Sequence, residues 1–198
     1  MLKKKSKYVM AILGATGAVG KETLDILEER NFPLESLRLF ASKRSAGGTL
    51  SCQGKEWTIE ELTPETSFAG VDFALISATD AISRDYGRRL GAAGVIVIDD
   101  SGVFRMEPDV PLVVPEVNAQ ALKAMPRGIV SIPNCTTTPL VMALKPLLDA
   151  AGVKRVVVTT FQSVSGTGAA AMDELMDQTK DLMAFRDIKA EVYSYQIA

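Results

Sequence analysis

The chain has 198 residues, of which 47% are hydrophobic and 23% are charged, enough for one sizeable core or for one core and part of another. Its formal net charge of -2 gives no long-range attraction to nucleic acid. No apolar run approaches the roughly 20 residues that a membrane span needs, which argues against a membrane protein.

Cysteine usage and the first residues bear on the compartment. Cys52 and Cys135 stand far apart and form neither a metal-ligand cluster nor a disulfide framework, so we expect no metal site. The opening residues MLKKKSKYVMAILG lack the apolar core of a secretion signal, and a cytoplasmic protein is expected. The basic run Lys3 to Lys7 is interpreted as a solvated tail.

The first hundred residues alternate between short apolar runs and helical patterns. Buried strands are predicted at residues 8–13, 37–42, 73–78 and 95–100. Helices are predicted at residues 20–30, with Leu24, Ile26 and Leu27 facing inward, and at residues 83–94. The stretch CQGKEWTIEEL between them predicts a short antiparallel or edge element. Apolar strands separated by helices predict an α/β fold, a doubly wound parallel sheet covered on both faces.

After Pro126 the pattern continues with longer elements. Strands are predicted at residues 128–133 and 153–166, the second rich in β-branched residues. Helices are predicted at residues 137–152 and 169–185. One face of the last helix is predicted to be apolar, formed by Met172, Leu175, Met176 and Leu182.

The stretch GATGAVG follows the first strand and opens the first helix. Its spacing G-x-x-G-x-x-G is close to the dinucleotide-binding fingerprint, with one more residue between the first two glycines. Gly14 is expected to make the tight turn, Gly17 to let backbone amides approach a pyrophosphate, and Gly20 to let helix and strand pack. The amides expected to point at the phosphates are those of Thr16, Gly17, Ala18 and Val19. A glycine-rich turn without ligand is the alternative.

The residues after two further strands bear on the choice of cofactor. An NAD site would place an acidic residue after the second strand, but this chain has Ser42, Lys43, Arg44 and Ser45. These groups suit a 2′-phosphate and favour NADP, with a solvated basic loop as the alternative. Ser77 and Thr79, after the strand at 73–78, are expected to flank the nicotinamide half.

Cys135 lies at a predicted strand-to-helix junction, in SIPNCTTTPL. The first-turn amides and the helix dipole are expected to favour a thiolate there, which makes Cys135 a candidate nucleophile. The alternative is a structural cysteine, because cysteine is among the most buried residue types and a buried thiol is usually inert. This interpretation suits Cys52.

Five blocks together resemble a known family. GATGAVG, SKRSAG, SGVFRM with PLVVPEVN, IPNCTTTPLVMALKPL and FQSVSGTGAAAMDEL are similar, in order and interval, to the amino-terminal half to two thirds of aspartate-β-semialdehyde dehydrogenases. The resemblance implies a Rossmann-type NADP-binding domain at residues 1–134 and, at residues 135–198, the first part of an α+β catalytic and dimerisation domain. It also implies a homodimer or homotetramer.

The resemblance implies a reaction and roles for single residues. The family reduces aspartyl phosphate to aspartate semialdehyde and phosphate with NADPH, on the route to lysine, threonine and methionine. By resemblance, Cys135 forms the thioester, Arg105 holds the phosphate and Gln162 orients the substrate. Asn134 supports the cysteine site, and Ser165 and Gly166 contact the cofactor. Without the family, Arg105 is a loop residue as compatible with a surface charge, and residues 162–166 are a strand end and turn.

This sequence departs from the family pattern in lacking several further functional residues. The family's acid/base histidine, with a further arginine and lysine, lies downstream of residue 198, and this chain has no histidine. The 198 residues are therefore expected to be inactive or nearly so alone, either as part of a longer enzyme or as a fold that has lost catalysis. The other interpretations are a related acyl-phosphate reductase, such as N-acetyl-γ-glutamyl-phosphate reductase or glyceraldehyde-3-phosphate dehydrogenase, a non-catalytic NADP-binding module, and a nucleotide-free scaffold.

Overall fold

The computed structural model describes residues 4–198, so Lys3 of the basic run lies outside the described residues. Two compact units follow each other along the chain, one up to Val156 and one at Val157–Ala198. The boundary predicted after residue 134 separates a cofactor-binding part from a catalytic part. The division into compact units does not test it, and it stays a prediction.

The first unit contains a seven-stranded sheet of order β3-β4-β2-β1-β5-β6-β7. The strands are β1 (Tyr8–Leu13), β2 (Leu34–Ala41), β3 (Thr49–Cys52), β4 (Lys55–Glu61), β5 (Phe73–Ile76), β6 (Ile96–Asp99) and β7 (Ile129–Ser131). Every pairing is parallel except that of β3 with β4. The Rossmann-type doubly wound sheet is confirmed, and so is the antiparallel edge hairpin.

Five α-helices accompany these strands in the described part of the chain. They are α1 (Ala18–Glu29), α2 (Asp80–Ala92), α3 (Pro115–Asn118), α4 (Thr137–Ala151) and α5 (Ala169–Met183). Two short 3₁₀ turns lie at Ala119–Lys123 and Val164–Thr167. No helix in residues 4–198 is long and apolar enough to cross a membrane.

The central strand β1 is apolar on both faces because both faces are covered. Met10 and Ile12 pack into a core shared with α1, whereas Ala11 and Leu13 pack into a second core that contains α2. The first core also holds Cys52, which is fully buried. Because β1, β2, β5, β6 and β7 are parallel, their carboxyl ends lie at one edge of the sheet, where the candidate site lies.

One sequence expectation for the first unit is wrong in detail, and another is incomplete. Ile26 is 39% exposed, whereas Leu24 and Leu27 are buried. At about 100° per residue, position 26 lies about 200° from position 24 and so faces away from the sheet. Residues 4–7 of the basic run are exposed, as expected, but Lys5 also has a partner: its Nζ lies 2.6 Å from Oδ1 of the buried Asp72, whose other oxygen accepts from Val9 N–H.

The segment at residues 153–166 forms no strand. A strand needs a neighbouring backbone to pair with, and no described residue pairs with this segment. Its apolar side chains are exposed instead, from Val157 to Phe161, which is 95% exposed. The β-branched composition indicates a local preference for extended backbone, but the predicted strand at residues 153–166 is wrong.

The second unit consists of α5 and the segment that follows it. The buried face of α5 is formed by Ala171, Glu174 and Gln178, whereas Met172, Met176 and Leu182 of the predicted apolar face are exposed. Glu174 accepts hydrogen bonds from the backbone N–H groups of residues 191–193, and Gln178 Oε1 accepts from those of 197 and 198. The polar face is buried because it satisfies the backbone of residues 189–198.

Candidate active site

The glycine loop lies between β1 and α1, as the sequence predicts. Gly14 has a φ of +93°, and a Cβ there would lie 1.9 Å from the Ser77 carbonyl oxygen. A Cβ on Gly20 would lie 2.5 Å from Gly14 O, so the start of α1 packs directly on the loop. Within 4 Å of such a Cβ on Gly17, the only neighbour among residues 4–198 is Gly14 O at 3.3 Å. Gly14 and Gly20 therefore serve the turn and its packing, while Gly17 faces open space.

Not all of the predicted amides are free to bind a phosphate. The Gly17 N–H donates to Gly14 O at 3.0 Å. Ala18 and Val19 belong to the first turn of α1, where N–H groups have no partner within the helix, and both residues are exposed. The loop thus presents a helix N-terminus to solvent, which suits a pyrophosphate.

The turn after β2 lies next to this loop. Gly14 N–H and Ala15 N–H both donate to Phe40 O, which holds the ends of β1 and β2 together. Ser42 and Arg44 are exposed and Ser45 is half-buried, in a turn closed by Ser45 N–H on Ser42 O. Arg44 forms no ion pair with any described residue, so its guanidinium is available to an anionic ligand.

The end of β5 forms the other wall of the loop. The Ser77 carbonyl closes on Gly14, which places Ser77 beside the glycine loop. Thr79 Oγ1 accepts from Ile82 N–H at 3.4 Å and so caps α2. The Thr79 hydroxyl therefore has a local structural partner, which sequence spacing alone did not indicate.

Asp100 is a titratable group at this edge that the sequence interpretation missed. Burial raises the pKa of its carboxyl, and the neighbouring Asp99 adds to this, whereas a hydrogen bond from Ser77 and the charge of Arg105 oppose it. The two carboxylates at the end of the apolar run VIVIDD were the available sequence signal. Asp100 thus stands between the expected cofactor wall and Arg105.

Arg105 is anchored at the ends of β6 and β7. Its Nε donates to Ile132 O at 3.0 Å, and Nη2 donates to Asp100 O at 2.7 Å. Arg105 is thus bound to the main chain three residues before Cys135. The structure brings Arg105 to the same strand ends as the candidate nucleophile.

Cys135 is exposed, in the turn between β7 and α4. Asn134 organises this turn: its Oδ1 accepts from Thr136 N–H at 3.0 Å and its main-chain oxygen accepts from Thr137 and Thr138 N–H. The Cys135 thiol donates to Asn134 Oδ1 at 3.8 Å. The first-turn amides expected to face the sulfur are therefore occupied by Asn134, which corrects that part of the prediction.

Cys135 and the glycine loop share the carboxyl edge of one sheet. β1 and β7 are three strand spacings apart, and at about 4.8 Å per spacing their ends are separated by about 14 Å. Ser77 and Asp100 follow the two strands in between. An extended dinucleotide that begins at the glycine loop would run along this edge toward Cys135.

Gln162, Ser165 and Gly166 lie in the second unit and are described within it. All three are exposed. Ser163 Oγ accepts from the Ser165 hydroxyl at 3.1 Å, and a Cβ on Gly166 would lie 2.4 Å from Gln162 Nε2. Gly166 thus gives room for the Gln162 amide, and these predicted residues form one local group.

A cavity of about 460 Å³ lies in the second unit, and it contains none of the predicted site residues. More acidic than basic side chains line it: the acidic ones are Asp173, Glu174, Asp177, Asp181 and Glu191, and the basic ones are Lys180, Arg186 and Lys189. Residues 4–198 also contain no cluster of three or more acidic or cysteine side chains that could hold a metal ion.

Comparison with known families and relatives agrees with this geometry. Residues 9–125 match the model "semialdehyde dehydrogenase, NAD binding domain", and residues 144–198 match "semialdehyde dehydrogenase, dimerisation domain". The aspartate-semialdehyde dehydrogenase of Aquifex aeolicus is 50% identical over 193 residues, covering 96% of this chain and 57% of that protein. Aspartate-semialdehyde dehydrogenase 2 of Vibrio cholerae is 44% identical, covering 97% of this chain and 57% of that protein.

Solved structures show the same likeness. Aspartate semialdehyde dehydrogenase II of Vibrio cholerae, complexed with ASA, has a TM-score of 0.90 at 42% identity, over 98% of this chain and 58% of its own. The Candida albicans enzyme with NADP has a TM-score of 0.60 at 30% identity, over 75% of this chain and 48% of its own. The chain spans somewhat more than half the length of the curated relatives described here. By its sequence, its fold and the arrangement of its strand-end residues, the chain belongs to the semialdehyde dehydrogenase family.

Proposed function

We propose that these residues form the cofactor-binding and nucleophile-bearing part of an NADP-dependent aspartate-semialdehyde dehydrogenase. The enzyme would reduce aspartyl 4-phosphate to aspartate semialdehyde and phosphate, in the cytoplasm, for lysine, threonine and methionine biosynthesis. One observation carries the proposal: an exposed Cys135 shares a sheet edge with a glycine loop, and Arg105 is bonded to the main chain beside it.

The side chains suit the two half-reactions of such an enzyme. Cys135 sulfur attacks the acyl carbon, the bond from that carbon to the phosphate oxygen breaks, and Arg105 binds the departing phosphate. Asn134 holds the cysteine turn, and Gln162 orients the acyl group. NADPH, when bound, supplies the hydride that reduces the thioester. The carbon–sulfur bond then breaks and Cys135 sulfur is restored.

The loop geometry supports a dinucleotide and the following turn supports its 2′-phosphate form. The first turn of α1 at Ala18 and Val19, with Thr16 before it, would hold the pyrophosphate, and Gly17 leaves room for it. Ser42, Arg44 and Ser45 would bind the 2′-phosphate, and Ser77 and Thr79 would flank the nicotinamide half. Ser165 and Gly166 are proposed, from the family resemblance, to contact the cofactor. The residues are chemically apt, since the turn after β2 offers hydroxyls and cations and no carboxylate.

The proton transfers need a group that these residues do not contain. The chain has no histidine, and positioned proton transfer contributes about 10²–10⁴-fold to a rate. We therefore propose that residues 1–134 bind the cofactor, that the catalytic part begins at Cys135, and that the 198 residues alone turn over slowly or not at all. The match to a dimerisation domain supports assembly as a homodimer or homotetramer.

Two alternatives remain distinct in chemistry. An N-acetyl-γ-glutamyl-phosphate reductase would use the same thioester, and a non-catalytic NADP-binding module would use none. The names of the relatives favour neither. A full-length protein that contains this chain is expected to oxidise aspartate semialdehyde with NADP and phosphate. Preference for N-acetylglutamate semialdehyde, or no oxidation at all, would contradict the proposal.

The cofactor assignment has its own test on the 198-residue chain. Calorimetric titration is expected to show NADPH binding at least about tenfold tighter than NADH, a difference of about 1.4 kcal/mol. Arg44→Gln is expected to remove that preference, because the amide cannot pair with a 2′-phosphate. Arg30→Gln, at the other end of α1, is the matched control and is expected to keep it. Equal binding of both cofactors by the unsubstituted chain would refute the NADP assignment.

A further inference from the structure

A fully buried carboxylate ends β6 beside the candidate site. Asp99 is 0% exposed, between Ile76 of β5 and Ser131 of β7 in the sheet. Its Oδ1 accepts from Ser101 N–H at 3.1 Å and from the Ser101 hydroxyl at 2.6 Å. Since a buried polar group needs hydrogen-bond partners, these two bonds tie the Asp99 side chain to the turn at Ser101.

The turn continues directly into the loop that carries Arg105. Ser101 Oγ accepts from Val103 N–H at 3.1 Å, so two short side-chain-to-backbone turns follow each other. Phe104 is fully buried and packs against α2 at Gly87, where a Cβ would lie 2.7 Å from its ring. The backbone before Arg105 is therefore held from the sheet by Asp99 and from the helix by Phe104.

Arg105 itself has one edge of its guanidinium occupied. Nε and Nη2 donate to main-chain oxygens of Ile132 and Asp100. Nη1 donates to no residue in the described range, so the remaining donors of the planar group are available to an anion. Because the group is rigid, a shift of the loop would tilt these donors away from that anion.

Resting on the proposed function, we infer that Asp99 is a positioning residue that holds Arg105, through the Ser101 turn, in the orientation that binds the substrate's phosphate. The second carboxylate oxygen, Oδ2, has no hydrogen-bond partner among the described residues. Both bonds to Ser101 use Oδ1, which an asparagine amide retains. Asp99→Asn is therefore expected to keep the orientation of Arg105, whereas Asp99→Ala is expected to lose it.

Inorganic phosphate is the probe, and the Arg105 Nε–H resonance of the ¹⁵N-labelled 198-residue chain reports its binding. Arg105→Gln assigns the signal and defines loss of the site. Asp99→Ala and Ser101→Ala are expected to raise the phosphate Kd at least about tenfold, and Asp99→Asn to leave it within about twofold. Ser83→Ala is the matched control, because Ser83 is also a buried serine but its hydroxyl has no partner among the described residues. NADPH affinity, measured on each variant, reports whether the fold is intact.

The outcomes separate this inference from the proposed function. If Asp99→Ala and Ser101→Ala bind phosphate as tightly as the unsubstituted chain while Arg105→Gln does not, the positioning role is wrong and the proposed function stands. If Ser101→Ala loses NADPH binding together with phosphate binding, its effect is on the whole fold and the inference is overturned. If phosphate does not shift the Arg105 signal in the unsubstituted chain, both the phosphate role of Arg105 and the inference fail.

Discussion

Gly14→Ala is expected to destabilise the first unit strongly. Gly14 has a φ of +93°, which an L-residue with a side chain adopts only under strain. Its new Cβ would lie 1.9 Å from the Ser77 carbonyl oxygen, far inside van der Waals contact. The oxygen belongs to the backbone that follows β5, so it cannot rotate away as a side chain would. The end of β5 or the loop must move.

The size of the effect follows from these two terms. The left-handed backbone costs an alanine about 1–2 kcal/mol, and forcing an extra carbon into a packed region costs about 1–3 kcal/mol. Together they lower the free energy of unfolding by about 2–5 kcal/mol. At about 2–4 °C per kcal/mol for a chain of this size, the Tm is expected to fall by about 4–20 °C.

Gly17→Ala is the matched control in the same loop. Gly17 has a φ of -71°, which alanine adopts freely, and the nearest atom to its Cβ would be Gly14 O at 3.3 Å. The free energy of unfolding is expected to stay within about 1 kcal/mol of the unsubstituted chain. NADPH affinity is nevertheless expected to fall at least about tenfold, because the methyl group occupies the approach of the pyrophosphate.

Scanning calorimetry gives the Tm of each variant, and isothermal titration gives the NADPH affinity. Equal Tm losses in the two variants would refute the steric argument for Gly14. Unchanged NADPH affinity in Gly17→Ala would refute the placement of the pyrophosphate at this loop. The two results are independent, since one concerns folding and the other binding.

Three further predictions concern single side chains. In the folded chain iodoacetamide is expected to label the exposed Cys135, while Cys52, which is buried and whose pKa burial raises, reacts only after unfolding; equal labelling would remove the nucleophile assignment. Burial by itself would raise the pKa of Asp72, but hydrogen bonds from Lys5 and Val9 N–H outweigh it and hold the pKa below its usual 3.8. The stabilisation that Asp72 gives is thus present above pH 3.8 and is lost as the pH falls through its lowered pKa. Urea titrations are expected to show that Asp72→Asn is less stable than the unsubstituted chain at neutral pH and that the difference shrinks below about pH 4. Glu174→Ala is expected to speed hydrogen exchange of the backbone amides of Glu191 and Val192, which donate to the Glu174 carboxylate. Unchanged exchange would show that these hydrogen bonds between α5 and the following segment are not formed.

Local chemistry made much of the fold predictable. β1 was predicted at its observed bounds because an apolar run with both faces buried has few other interpretations. The glycine loop was predictable because the tight turn and the close helix packing need glycine at Gly14 and Gly20 whatever surrounds them. These features depend on residues close together in sequence.

The wrong predictions concern features whose structure depends on a partner elsewhere in the chain. Residues 153–166 have the composition of a strand but pair with no described backbone, and composition carries no information on a partner. The polar face of α5 is buried because Glu174 and Gln178 bind a backbone segment up to 20 residues away. At the candidate site, the side-chain and main-chain oxygens of Asn134 occupy amides that the helix start was expected to offer to Cys135. Which of two acceptors takes a donor depends on geometry that a sequence does not state.

The proximity of Cys135 to the cofactor edge is the central claim, and alkylation in the presence of NADP tests it most directly. Saturating NADP is expected to slow iodoacetamide labelling of Cys135, because the nicotinamide half would cover the turn after β7. Gly17→Ala is expected to need an at least about tenfold higher NADP concentration for the same protection. An unchanged labelling rate in the NADP-saturated chain would show that the cofactor lies elsewhere and would contradict the assignment of Cys135 as the nucleophile beside it.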